Sequence, residues 1–169
     1  LVDNSDAEAY FYSDNDDSRA NYMTANITST GAGFNDGQNY LYLGESQGAH
    51  TVNVSGTTDL ELEIEHFNNP DGDASVTLID AGALEAGLEI DLYFRDDASF
   101  IGGTGDDDVY DDSNNNGSEI SISTGMGDDM IDISDGGVTN VYTVEAGEGD
   151  DYFAAGNNLN INSTADGGE

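Results

Sequence analysis

Gly102-Gly103-Thr104-Gly105-Asp106-Asp107-Asp108-Val109-Tyr110 returns 22 residues later as Thr124-Gly125-Met126-Gly127-Asp128-Asp129-Met130-Ile131-Asp132. It returns after a further 22 as Ala146-Gly147-Glu148-Gly149-Asp150-Asp151-Tyr152-Phe153-Ala154. Two apolar columns travel with the Gly-Asp-Asp triplet: Phe100, Ile122 and Val144 ahead of it, and Val109, Ile131 and Phe153 behind it. A sandwich has no reason to keep such a ladder, whereas a solenoid buries each turn only against its neighbours and needs one. Counting backwards, Val76 and Val52 precede Phe100 at intervals of 24, and Ile27 stands 25 before Val52, so the repeat is expected to persist while its length drifts.

Short period-two runs surround the repeat and predict strands: Tyr40-Leu41-Tyr42-Leu43, Thr51-Val52-Asn53-Val54, Leu60-Glu61-Leu62-Glu63-Ile64, Val76-Thr77-Leu78-Ile79 and Leu88-Glu89-Ile90-Asp91-Leu92. Gly, Asp, Asn and Ser separate the runs, and the single proline, Pro70, sits in one break. No run carries the three-and-four spacing of an amphipathic helix over a useful length. The expected fold is all-β, a right-handed parallel β-helix or β-roll solenoid with coils of about 22–25 residues. At the strand spacing of about 4.8 Å, about seven coils would stand some 30 to 35 Å tall. The expected inward residues are Val52, Val54, Leu62, Ile64, Val76, Leu78, Ile90, Leu92, Phe100, Val109, Ile120, Ile122, Ile131, Ile133, Val144 and Phe153.

Three segments follow. Residues 1–26 fit the ladder worst, with Tyr10, Phe11, Tyr12 and Tyr22 lacking partners, and are expected to form an irregular cap or interface segment. Residues 27–99 are expected to form degenerate coils. Residues 100–169 hold the regular repeat, and because Asp166-Gly167-Gly168-Glu169 falls where the next glycine motif is due, the coils are expected to continue past the last residue.

Charge narrows the function. Thirty-six acidic residues against 2 basic ones leave a formal charge of −34 in 169 residues. Such a field repels nucleic acid and anionic membrane and opposes compaction, so the chain needs cations to fold. So much Asp, Asn and Gly could also mean disorder, but the apolar residues recur in alternating runs instead of scattering. With no cysteine, disulfides cannot staple the chain, and a hard cation with oxygen ligands is the natural substitute. No stretch has the roughly 18 apolar residues of a transmembrane helix.

The first motif matches G-G-x-G-x-D-x-U-x at every fixed position, and the other two miss only the first glycine. Glycines at those positions let the backbone turn sharply and present carbonyl oxygens. Stacked coils would bring Asp107, Asp129 and Asp151 about 4.8 Å apart, a repulsion of several kcal/mol at an effective dielectric near 20 that an intervening divalent ion reverses. Ordinary acidic turns of a halophilic protein are the plainer reading of the same residues.

In these motifs the sequence resembles the haemolysin-type calcium-binding repeat family, or RTX repeats, of secreted toxins, proteases, lipases, adhesins and surface-layer proteins. The resemblance covers residues 100 to 154 firmly, and residues 27 to 99 only through the ladder. It implies Ca2+ as the bound ion, with Asp107, Asp129 and Asp151 as side-chain ligands. It also implies carbonyl ligands from Gly102 and Thr124, from Thr104 and Met126, and from their coil equivalents Ala146 and Glu148. The spacing departs from the family, whose common coil is 18 residues with a motif on both edges. Here the opposite edge carries Asn114-Asn115-Asn116-Gly117, Ser134-Asp135-Gly136-Gly137 and Gly156-Asn157-Asn158, which read as hydrogen-bonding turns. Thr30-Gly31-Ala32-Gly33-Phe34-Asn35 reads as a worn repeat, and Asp71-Gly72-Asp73 as a plain turn more than a ligand set.

Enzyme readings gain nothing. Carboxylates are too abundant for any pair to signal acid and base, His50 and His66 lack zinc-like spacing, and no serine lies in G-x-S-x-G. The expectation is a non-enzymatic, extracellular or cell-surface structural protein, a surface-layer, filament or matrix subunit that folds and self-associates in calcium. The alternatives are a calcium-binding secretion module of a toxin or hydrolase, or an adhesin module that binds glycan or ice through a flat face. Outward tyrosines such as Tyr110 and Tyr152 could contact sugar or a neighbouring subunit. Regular threonine columns, which would favour ice, are not evident, since Thr104 and Thr124 do not repeat in register.

Overall fold

The computed structural model describes residues 2–3, 6–10, 23–33, 37–44, 49–64, 76–94, 97–112, 117–135, 137, 139–156, 160 and 163–168. Among these residues the regular structure is all β. The first strands are β1 (Val2–Asp3), β2 (Asp6–Tyr10), β3 (Met23–Thr30), β4 (Asn39–Gly44) and β5 (Ala49–Gly56). There follow β6 (Leu60–Ile64), β7 (Leu78–Leu84), β8 (Leu88–Leu92), β9 (Ala98–Ile101) and β10 (Asp108–Asp111). The last are β11 (Glu119–Met126), β12 (Met130–Asp132), β13 (Val141–Glu148), β14 (Tyr152–Ala154) and β15 (Thr164–Asp166).

Odd-numbered strands form one sheet of 8 and even-numbered strands a second sheet of 7, each in chain order. Every pairing is parallel. The chain therefore visits the two sheets alternately, and each pair of strands lays down one layer. Burial follows the alternation of the side chains: β6 and β8 bury every second residue, as does β11 from Ile120 to Thr124. The buried residues of both sheets make one apolar cluster, from Ala25 and Leu41 to Val144 and Ala146. Parallel sheets usually hide both faces. Here each sheet turns one face to the core and the other to water.

The 22-residue ladder appears as register. Phe100 pairs with Ile122 and Ile122 with Val144; Val109 pairs with Ile131 and Ile131 with Phe153. All of the expected inward residues are buried except Leu78 and Phe153, which are half-buried. Upstream the ladder differs from the backward count. Phe100 pairs with Ile79, not Val76; Ile79 pairs with Val52; and Val52 pairs with Ala25, while Ile27 pairs with Val54. The steps between layers are unequal: 21 residues from Ile79 to Phe100, but 27 from Val52 to Ile79 and 27 from Ala25 to Val52. Thr77 and Leu78 both escape burial between buried Val76 and Ile79, so the alternation restarts there. An equal count across unequal steps lands on the wrong residue of the partner strand.

The N-terminal segment expected to be irregular contributes paired strands where it is described. β1 lies against β3 and β2 against β4. Phe11, Tyr12 and Tyr22 lie outside the described residues, as do Asn35, His66, Asp71-Gly72-Asp73 and Asn114–Asn116. No helix of the described residues is long and apolar enough to cross a membrane.

The two outer faces differ in chemistry. Down the odd-numbered sheet one column runs Thr24, Thr51, Leu78, Ser99, Ser121, Thr143 and Thr164, hydroxylated at all but one position. It is not a regular threonine column, since Ser99, Ser121 and Leu78 interrupt it, and intervals of 27, 27, 21, 22, 22 and 21 residues hide it from any fixed-period search. The even-numbered sheet carries Tyr40, Glu61, Glu89, Asp108, Met130 and Tyr152 in one column, and Tyr42, Glu63, Asp91, Tyr110 and Asp132 in the next. Like charges one strand apart are costly there. Partial burial raises the Asp91 carboxyl above its ordinary range, and Asp112, Glu63 and Glu89 push it further. The Tyr40 hydroxyl offsets some of this by donating to Glu63 at 2.8 Å.

Candidate metal-binding edge

The three Gly-Asp-Asp motifs occupy the turns from β9 to β10, from β11 to β12 and from β13 to β14, so they stack on one edge of the two-sheet body. Glycine is required because the layers approach backbone to backbone. The space a Cβ would fill at Gly127 holds the Gly105 carbonyl, and that at Gly149 holds the Gly127 carbonyl. Gly168 repeats the arrangement over Gly147.

Aspartates tie these turns together in two opposed ladders. In the inner ladder each carboxylate caps a backbone donor of the preceding layer. Leu88 N–H donates to Asp107 Oδ1 at 2.8 Å, Asp107 N–H to Asp129 Oδ1 at 2.8 Å, and Asp129 N–H to Asp151 Oδ1 at 3.0 Å. In the outer ladder each carboxylate caps the following layer: Asp128 N–H donates to Asp106 Oδ1 and Asp150 N–H to Asp128 Oδ1, both at 2.9 Å. Asp59 does the same for Gly87 N–H at 2.9 Å. The outer ladder was missed from sequence. The doubled aspartate was its signal, since only the second of each pair had been given a task.

The inner aspartates are buried and close to one another. Asp107 is 0 % exposed and Asp129 2 %. Burial pushes the Asp107 carboxyl up to about 7; the N–H groups of Gly103 and Leu88 pull it down, and the charges of Asp129 and Asp108 raise it again. Burial raises Asp129 too; Asp107 N–H and the neighbouring Thr124 hydroxyl lower it, and the charges of Asp151 and Asp106 raise it again. Asp129 Oδ2 and Asp151 Oδ2 are buried and left without a donor, because the Thr124 hydroxyl beside Asp129 gives its one proton to the Ala146 carbonyl at 2.6 Å. Such orphaned oxygens cost about 1–3 kcal/mol each, and more when charged.

Of the nine residues expected to ligate, the structure gathers all on this edge, in different states. Asp107, Asp129, Asp151, Gly102, Thr124 and Ala146 are buried or half-buried, whereas Thr104, Met126 and Glu148 are exposed. The Ala146 carbonyl accepts the Thr124 hydroxyl at 2.6 Å, and the Glu148 carbonyl accepts Gly127 N–H at 2.9 Å. Among the described residues no three His, Asp or Glu side chains converge as a ready metal cluster. A cation here would rely on one or two carboxylates and on main-chain carbonyls. That donor set, all oxygen with two orphaned carboxylate atoms, fits calcium and suits no softer metal.

The opposite edge is built differently. Tyr142, 0 % exposed, donates its hydroxyl to buried Asp111 at 2.7 Å and accepts Asn140 Nδ2–H at 3.3 Å; Asn140 Oδ1 in turn accepts Ser118 N–H at 3.3 Å. Burial and the Asp111 charge hold the Tyr142 phenol well above its usual range. This network makes a hydrogen-bonded edge, although Tyr142 gave no sign in sequence of lying in the core; the asparagines expected to form hydrogen-bonding turns, Asn114–Asn116, Asn157 and Asn158, lie outside the described residues. His50 Nδ1 lies 3.2 Å from Thr77 Oγ1.

No protein-family model matches the chain, and neither the curated proteins nor the solved structures contain a significant match to it.

Proposed function

We propose that the chain is a calcium-dependent right-handed parallel β-helix of the β-roll kind, related to the RTX repeats, that serves outside the cell as a structural subunit and not as a catalyst. The observation that carries the reading is the pair of buried, unpartnered carboxylate oxygens on Asp129 and Asp151, one strand layer apart on a glycine-paved edge. A divalent cation supplies what those atoms lack: positive charge that cancels the mutual repulsion of the aspartates. Extracellular calcium is abundant enough to serve, and a formal charge of −34 makes the metal-free chain reluctant to compact. Self-association follows from the same charge, because ions that screen the layers also let copies approach.

Calcium titration of the whole chain at low salt, followed together by circular dichroism and light scattering, tests both halves. The expected result is a cooperative gain of β signal and then a rise in scattering. A β signal indifferent to calcium and to chelator would sink the calcium reading; a monomer throughout would sink the structural-subunit reading.

The hydroxyl column of the odd-numbered sheet favours a second reading, an adhesive module that grips a glycan chain through that face. Thr77, Ser99, Ser121 and Thr143 line a shallow groove there together with Asp97 and Glu119. Retention on immobilised polysaccharide that is lost in Ser99→Leu and Ser121→Leu would support it, and no retention would dismiss it.

A further inference from the structure

We infer that only the second and third Gly-Asp-Asp turns hold the cation, through Asp129 and Asp151, and that Asp107, in the one motif matching the nonapeptide at every position, is a backbone cap and no ligand. The inference rests on the calcium reading above and divides its sites unequally.

The three aspartates share a column but not a state. Asp107 has both oxygens in use: Oδ1 accepts Leu88 N–H at 2.8 Å, and Oδ2 accepts Gly103 N–H, four residues back in its own turn, at 3.1 Å. Asp129, 2 % exposed, has Oδ1 in use and Oδ2 without a partner, and Asp151 repeats that arrangement. A fully satisfied carboxylate gains little from an ion, because binding one forfeits the N–H already held. An orphaned one gains the whole interaction.

The backbone gives the reason. Gly125, Gly127, Gly147 and Gly149 are left-handed, with φ of 106°, 127°, 105° and 148°. Gly103 and Gly105 are not among the positive-φ glycines, so the first turn takes another path and aims Gly103 N–H at its own aspartate. The neighbouring layer differs as well. The Cβ space of Gly103 is filled by the Leu84 carbonyl, and that of Gly105 by the backbone of Ala86 and Gly87, in a layer without the motif. Register also sets Leu88 opposite Asp107, one residue before the Glu89–Asp108 pair, so no second carboxylate faces Asp107 from that side. Asp129 and Asp151 face each other through layers of the same turn type, and an ion between them would draw on both orphaned oxygens.

The test compares Asp107→Asn, Asp129→Asn and Asp151→Asn in the whole chain, with calcium affinity read by calorimetry and, separately, by terbium luminescence. Asp129→Asn and Asp151→Asn are expected to weaken binding at this edge at least 10-fold, and Asp107→Asn less than 3-fold. Carboxyl carbon NMR of the unaltered chain supplies a readout that needs no variant: calcium should move the Asp129 and Asp151 resonances and leave Asp107 in place. Equal losses in all three variants, or a calcium-dependent Asp107 resonance, would overturn the unequal assignment and leave the calcium reading standing. Wild-type protein that binds no calcium would remove both.

Discussion

Replacing Gly127 by alanine, and Gly117 by alanine as its control, separates backbone conformation from inter-layer contact. Both glycines have positive φ, 127° and 95° respectively, so alanine is strained at either by about 1–2 kcal/mol. They differ in what surrounds them. Nothing lies within 4 Å of the Cβ position at Gly117, whereas at Gly127 that position is occupied by the Gly105 carbonyl of the preceding layer. Alanine there must push these two layers apart, loosening the 3.2 Å bond from Met126 N–H to the Gly103 carbonyl and the 2.9 Å bond from Asp128 N–H to Asp106. Two hydrogen bonds at about 1 kcal/mol each, added to the strain, put Gly127→Ala at roughly 3–4 kcal/mol. For a chain of this length that is a fall in Tm of about 10 °C, against a few degrees for Gly117→Ala. Thermal melts in saturating calcium, read by circular dichroism, measure both. Equal shifts would show that the layers do not stack through their glycine backbones, and the aspartate ladders described above would lose their geometry.

Three further outcomes follow from the same structure. Chelation should release the layers from about residue 98 onward first, and hydrogen exchange with mass spectrometry should show protection lost in β10 to β14 before β5 to β8; simultaneous loss would contradict it. Without calcium, stability should fall as pH rises. The Asp107 carboxyl is raised in the fold from 3.8 to about 7, so its contribution is complete below the unfolded value and is lost as pH climbs through the folded one, about 2 kcal/mol between pH 5.5 and 8. Urea midpoints in chelator should show this, and Asp107→Asn should flatten it. Tyr142→Phe, which deprives buried Asp111 of a 2.7 Å donor, should cost about 1–3 kcal/mol in the same assay without altering calcium affinity, since the network lies on the other edge.

The regular half of the fold was legible because its layers are equal. Phe100, Ile122 and Val144 meet in space as they meet in the count, and so do Val109, Ile131 and Phe153. Where connections change length the count fails: Val76 was aligned with Phe100, but Ile79 is the residue paired with it. Hydrogen-bond register, not chain distance, decides the partner, and the step from one layer to the next changes from 27 residues at Val52–Ile79 to 21 at Ile79–Phe100. The aspartates of the candidate site were likewise legible as a column. Their inequality was not, because it depends on whether Gly103 N–H turns toward Asp107, in a turn that stacks on Leu84 and Ala86 of a layer that carries no motif.

The two ladders explain why such an edge would need a cation at all. Each aspartate replaces a strand-ladder acceptor where the chain leaves its sheet, so each layer gains one bond from the layer before and one from the layer after. That gain is the same for every layer added. So is the repulsion, since within a Debye length of about 8 Å each new pair of carboxylates meets only the layers nearest it. Every layer added therefore sets the same unfavourable charge term against the same hydrogen bonds. A divalent ion held between layers makes that term favourable, and the nearest-neighbour sum of a repeat column then improves with each layer.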